Sequence, residues 1–208
     1  LGFFGIDNLV QHPDYSYFDG RIWYTQLIDD DPLHFWSWYS SHFNDALERR
    51  VVGGDSTTYL ASEVAATRIG LQNKPIKLVV MLRNPTARAY SDYWHRVRSG
   101  RAIWNFEETI QFDPFSVLHR SRYLEQLNCL FNHVPRERIM VVIFEEFLAD
   151  KRHTLKKVCG HIGVDYTQLP EAALETHRNQ GEVPRFPGAQ ILYNRLFRQE
   201  AHRIYVSN

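Results

Sequence analysis

The chain is short of the features that commit a protein to an extreme class. No apolar run reaches the ~18 residues that a membrane-crossing helix needs, so no helical span is expected within these 208 residues. Neither charge is in excess: 24 Lys and Arg balance 24 Asp and Glu. No global field therefore draws in nucleic acid or an anionic membrane, and a bound anion has to be held by local basic groups. There are two cysteines, Cys129 and Cys159. Both stand among apolar neighbours in helix-like sequence, so two buried free thiols are expected rather than a disulfide framework. The one near-sequon, Asn84-Pro85-Thr86, carries the excluded proline. Free thiols and no sequon point to a reducing, cytoplasmic setting. The ten histidines contain no His-x-x-x-His pair, and Asp29-Asp30-Asp31 lacks partner ligands, so no metal is expected. No signal peptide, repeat, low-complexity tract or linker is visible. The chain opens on LGFFGI without an initiator Met and reads as a fragment or trimmed chain.

What remains is ordinary globular composition: 44% hydrophobic, 23% charged and 14% aromatic, enough for one domain with a sizeable core. Short apolar runs alternate with helical periodicity. Strands are expected at Leu1–Ile6, Arg50–Gly54, Leu78–Leu82 and Ile139–Phe144. Helices are expected to end near His12 and to cover His34–Ala46, Ser62–Leu71, Ser121–Phe131, Leu155–Ile162 and Gln190–Arg198, with a helical turn at Phe106–Ile110. An alternation of this kind predicts a single α/β domain over residues 1–208, with a mainly parallel sheet flanked by helices.

The richest stretch is Lys77–Gly100, KLVVMLRNPTARAYSDYWHRVRSG. Its apolar start suits a strand covered on both faces. Asn84-Pro85 then breaks the strand and opens a helix. Arg83 stands at the strand's carboxyl end, where open α/β sheets bind ligands, and Ser91 lies about two turns into the helix. A guanidinium and a hydroxyl converging there suit a phosphate.

Arg83, Asn84, Pro85, Arg88, Ser91 and Tyr93 fit Arg-Asp/Asn-Pro-x-x-Arg-x-x-Ser-x-Tyr, and this stretch resembles the sulfotransferase segment that grips the 3′-phosphate of 3′-phosphoadenosine 5′-phosphosulfate (PAPS). Three further blocks resemble the same family in the same order. Gly54–Leu60 is similar to its Gly-Glu-x-Ser-x-x-Tyr-Leu element, with Asp55 in place of Glu. Phe106-Glu107-Glu108 is similar to a helix of the carbohydrate-type enzymes. Ile139–Gly163 is similar to a later strand and helix, with Glu145 at the family's Glu and Phe144 in place of Tyr or Arg. The carbohydrate and heparan-type branch is the nearer one. The resemblance implies a P-loop-containing nucleoside triphosphate hydrolase-like three-layer fold. It also implies PAPS as sulfuryl donor, adenosine 3′,5′-bisphosphate as product, no metal, and a saccharide-like or small-metabolite acceptor.

It implies a set of site residues as well. Arg83 and Ser91 would hold the 3′-phosphate. The late loop His177–Arg185 is similar to the family's closing loop, so Arg178, Gly181 and Arg185 would add donor contacts. The family's phosphosulfate loop, Lys-x-Gly-Thr after the first strand, is not found: the sequence steps from Ile6 to Asp7 over about ten residues of a normal βα unit. A similar jump is expected at Ser16–Tyr17, where the family carries its catalytic Lys or Glu, and another near Gln199–Glu200. These loops are expected to be missing from the sequence; the alternative is a protein that has lost them. His95, one helical turn after Ser91, is the best visible proton acceptor, with Asp55 second. Trp23, Tyr24, Trp36, Trp38, Trp94, Arg96, Arg98 and Trp104 could wall an acceptor cleft or belong to the core. The rival readings are a P-loop nucleotide kinase-like protein, for which no Walker-type Gly-Lys-Ser/Thr is visible, and a non-catalytic nucleotide-binding pseudoenzyme. A lumenal domain of a membrane-anchored Golgi enzyme is the alternative to the cytoplasm.

Overall fold

The computed structural model describes residues 16–18, 23–25, 51–57, 59–72, 74–175 and 183–197. The expected elements at Leu1–Ile6, Asp7–His12 and His34–Ala46, and the junctions at 6/7 and 199/200, lie outside these residues. The described chain gathers into two compact units. One takes segments up to Val80, 125–140 and 158–164; the other takes 81–124, 141–157 and the residues from Asp165 onward.

Strands β1 (Ser16–Phe18) and β2 (Trp23–Thr25) form an antiparallel ribbon with Tyr17 opposite Tyr24. Residues 51–57 adopt no regular structure, and Val51 and Val52 are exposed. The expected strand at Arg50–Gly54 is therefore not formed over the described residues: two β-branched residues followed by Gly53-Gly54 supply neither length nor partners.

The α/β part follows. Helix α1 (Glu63–Gly70) starts where the Ser62 hydroxyl accepts the Ala65 amide at 3.1 Å. β3 (Leu78–Leu82) leads into α2 (Pro85–Arg98). Helices α3 (Phe106–Phe112) and α4 (Pro114–Leu118) come next, then α5 (Tyr123–His133). β4 (Ile139–Ile143) runs straight into α6 (Phe144–Ala149), followed by α7 (Lys151–Ile162), α8 (Ala172–Glu175) and α9 (Pro187–Phe197). β3 and β4 are neighbours in one sheet. The residues just past their carboxyl ends, Arg83 and Phe144, meet, as they do in a parallel pair with a helical crossover. Among the described residues this pair is the whole of the expected parallel sheet.

β3 is not covered on both faces. Leu82 is buried, whereas Val79 and Met81 are 40% and 50% exposed. A continuous apolar run does not itself distinguish a strand buried on both faces from one with an open face.

In the first unit, Ala65, Ala66 and Ile69 of α1 are buried, as are Leu130 and Val134 at the end of α5. Gly70 lies so close to α5 that an added Cβ would stand 2.3 Å from the His133 carbonyl oxygen. His161 Nε2 is 3.1 Å from the Leu78 carbonyl, and Lys77 Nζ donates to the His161 carbonyl. In the second unit, Tyr93, Val97, Ala102 and Val117 form the core, covered by Trp94, Phe106, Ile110 and Ile191. Asn194 of α9 is completely buried there and donates to the Val97 and Ala102 carbonyls, both at 2.9 Å. It gives the Val97 carbonyl in the last turn of α2 a second donor beside the Gly100 amide, and it ties the Ala102 carbonyl beyond the helix to the same side chain. Cys129 and Cys159 are both free; Cys159 is buried, but Cys129 is only half-buried. No helix among the described residues is long and apolar enough to cross a membrane.

Candidate functional site

The site begins at the carboxyl ends of β3 and β4. Arg83 leaves β3 half-buried, its guanidinium 5.3 Å from the centre of the Phe144 ring. Asn84 then stops the strand and caps α2: its side chain accepts the Ala87 amide at 3.0 Å, and Pro85 takes the first helical position, where no amide is needed. The Asn84 amide itself donates to Glu145 Oε1 at 2.9 Å. That hydrogen bond, then Glu145's own amide and the nearby Arg83, hold the Glu145 carboxyl below its ordinary range. The start of α2 is therefore pinned on two sides, by its own cap and by the first turn of α6.

The motif residues divide by role. Tyr93 is structural: it is 2% exposed, donates to the Trp104 carbonyl at 3.3 Å and meets Trp94 and Phe106 edge-on. Burial pushes its phenol pKa up, and Tyr90 and Glu108 add to the shift. Arg88 is structural too. Its Nε donates to Ser121 Oγ at 2.5 Å and another guanidinium nitrogen donates to the Val117 carbonyl, while the Ser121 hydroxyl donates to the Pro85 carbonyl at 3.1 Å. Ser91 stays exposed. It shares the helical face of Asn84, Ala87 and His95, opposite the buried Ala89, Tyr93 and Val97. Arg83 thus stands half-buried just before α2, and Ser91 stands exposed midway along it.

On the flank of that face, round the helix, lies a basic cluster that the linear motif does not reveal. Arg88 and Arg96 approach Asp92 at 3.6 and 3.7 Å. Arg120 is close enough that Asp92 raises its pKa, while burial, foremost, and then Arg96, Arg88 and Arg101 lower it. Asp92 Oδ2 and Arg96 Nε are buried without a hydrogen-bond partner. Several cations around one carboxylate leave a positive local field, which favours an anion. The sequence signal for it was the recurrence of Arg88, Asp92 and Arg96 every four residues; Arg120 carried no such signal.

His95 is exposed one turn past Ser91. Partial desolvation, then Arg101, with Arg98 and Arg96 adding, hold its pKa below 6.5 against the opposing pull of Asp92. It is neutral at neutral pH and can accept a proton. Arg185 is exposed, its guanidinium 5.6 Å from the neighbouring Phe186 ring. It makes no hydrogen bond or ion pair with Arg83, Ser91 or His95 among the described residues. Arg178 and Gly181 lie outside the described residues, as do the side chains of Trp23, Tyr24, Trp36 and Trp38. Asp55 is exposed and belongs to the other unit. Trp94 packs on the core, and Trp104 stands 5.9 Å from Phe112.

Residues 75–168, which include all of β3, α2, β4 and α6, match the family described as the sulfotransferase family. The chain is 25% identical over 160 residues to a mouse heparan sulfate glucosamine 3-O-sulfotransferase 3A1, covering 73% of this chain and 37% of that protein. It is 25% identical over 133 residues to the human heparan sulfate glucosamine 3-O-sulfotransferase 5, covering 58% of this chain and 38% of that protein. The chain thus spans well under half the length of these curated relatives. A crystal structure of a sulfotransferase from Alicyclobacillus acidocaldarius has the same fold, with a TM-score of 0.62 at 22% identity over 100% of this chain and 82% of that one.

Proposed function

We propose that this chain, whose residues 75–168 belong to the sulfotransferase family, takes part in moving a sulfuryl group from PAPS to a hydroxyl of a saccharide-like acceptor. The observation that carries the reading is the pinned start of α2. Asn84 and Glu145 fix the backbone there, Arg83 is held at the sheet end by Phe144, and Ser91 is exposed on the same helix.

These residues fit a phosphate. Arg83 supplies a charge-assisted donor and Ser91 a hydroxyl donor, and the arginines around Asp92 supply a favourable field. Such preorganised groups orient a bound nucleotide without rearranging, and in-line group transfer depends chiefly on positioning. The donor, when bound, supplies an activated sulfuryl group. Arg185 and, outside the described residues, Arg178 and Gly181 remain part of the proposed donor site. His95, neutral at neutral pH, is the proposed proton acceptor. The relatives' names make glucosamine-containing saccharides the first acceptors to screen.

Calorimetric titration with adenosine 3′,5′-bisphosphate in the absence of magnesium tests the donor half. Saturable binding to the wild type that weakens in Arg83→Ala supports the reading. Preference for ATP with magnesium overturns it in favour of a kinase-like protein. The acceptor half is tested separately with PAPS. Because no Lys-x-Gly-Thr stands in the 208 residues, nucleotide binding without transfer to any acceptor would make the chain a nucleotide-binding module.

A further inference from the structure

The first unit holds a second constellation, unrelated to the nucleotide. Glu63 opens α1, and Cys129 and His133 stand one turn apart on α5. One ligand atom from each of the three lies within 4.8 Å of the others. No His-x-x-x-His pair marks this site in the sequence: its helical pair is Cys-x-x-x-His, and its third member comes from a helix about seventy residues earlier.

The helices are fixed against each other at the same place. Glu63, Thr67 and Gly70 recur at helical spacing along one face of α1. Gly70 packs on the His133 carbonyl with no room for a Cβ, and Thr67 Oγ1 lies 3.4 Å from His133 Nε2, in reach to orient the ring. Backbone packing therefore holds the three positions near enough for their side chains to converge. Cys129 and His133 are half-buried and Glu63 is exposed, so a fourth ligand position opens to solvent.

We propose that Glu63, Cys129 and His133 form a three-ligand site for a borderline-soft divalent metal, zinc foremost, that clips the start of α1 to the end of α5. A thiolate, an imidazole and a carboxylate are the three ligand types zinc accepts, and tetrahedral ligand atoms about 2.0–2.3 Å from the ion stand closer together than 4.8 Å. Small rotations of the three side chains about their terminal bonds bring the atoms to that spacing. Magnesium and calcium, which take oxygen ligands, do not match the set. Water completes the coordination, and the ion acts as a structural clip: it binds the folded chain and stabilises it by mass action.

The test is titration of the reduced, full 208-residue chain with Co(II), followed by Zn(II). The expected result is one Co(II) per chain, with a thiolate-to-cobalt charge-transfer absorption that Zn(II) abolishes. Cys129→Ser should remove that absorption, His133→Gln should weaken binding by at least about tenfold, and Cys159→Ser should leave both unchanged. Glu63→Gln alters an exposed group and keeps the fold, so its expected loss of about tenfold in affinity separates ligand loss from unfolding. Zinc should raise the melting temperature of the wild type but not of Cys129→Ser. Absence of stoichiometric binding, or an unchanged cobalt absorption in Cys129→Ser, overturns the site. Neither outcome depends on nucleotide binding.

Discussion

Arg83 and His95 sit on the same strand–helix segment, yet their chemistry separates by experiment. Arg83→Ala is expected to weaken adenosine 3′,5′-bisphosphate binding by about 1.5–3 kcal/mol, since it removes a charge-assisted contact. Unchanged calorimetric affinity in a folded variant would remove Arg83 from the site. For His95 the sign follows from its lowered pKa. The unfolded chain binds the proton more readily, so the stability contribution is fully present above about 6.5 and is lost as pH falls. As proton acceptor it should give a kcat/KM profile that rises with pH, with its midpoint below 6.5, and His95→Gln should erase that limb. If the limb persists in His95→Gln, another group takes the proton. At this scale the strand end at Arg83 and the helix that carries Ser91 were legible because residue type, spacing and the proline break coincide in one short stretch. Arg120, and the contact of Glu145 with the Asn84 amide, were not, because the partners stand tens of residues away and only the folded chain brings them to α2.

At the scale of elements, α2 shows how local sequence and tertiary contact divide the work. Its start is written locally in Asn84-Pro85, so Asn84→Ala should destabilise the protein by about 1 kcal/mol in urea unfolding. Its end closes locally on Gly100, at φ 77°, whose amide reaches the Val97 carbonyl, and is tied to α9 by Asn194, which donates to the Val97 and Ala102 carbonyls. Helix α3 starts with a reciprocal cap between Asn105 and Glu108; the sequence marks this start at Phe106 but stops the helix two residues early, at Ile110. The strand expected at Arg50–Gly54, not formed over its described residues, is the opposite case. A β-branched pair has strand propensity, but strands are held by cross-strand neighbours, which propensity does not supply. α6 was missed as a separate helix because six residues beginning straight after a strand carry little periodicity.

At the scale of the molecule, each unit has its own tight spot. In the second unit, Tyr93→Ala should cost about 3–5 kcal/mol through loss of the central core ring, and Tyr93→Phe only about 1 kcal/mol for the hydrogen bond to Trp104. Near-equal losses in chemical denaturation would mean that the hydroxyl, not packing, sets the stability there. In the first unit, Gly70→Ala should destabilise by about 1–3 kcal/mol, because the neighbouring atom is backbone and cannot swing aside. The sequence by itself determined the strand–turn–helix at residues 78–98 and its Asn84 cap, because these follow from short-range periodicity, proline geometry and residue type. Only the tertiary structure decided that Arg88 and Tyr93 of the same motif serve the core, that Glu145 secures the helix start, and that Glu63 meets Cys129 and His133. Those outcomes depend on which distant segments pack together, and packing is a property of the folded chain that no local pattern encodes.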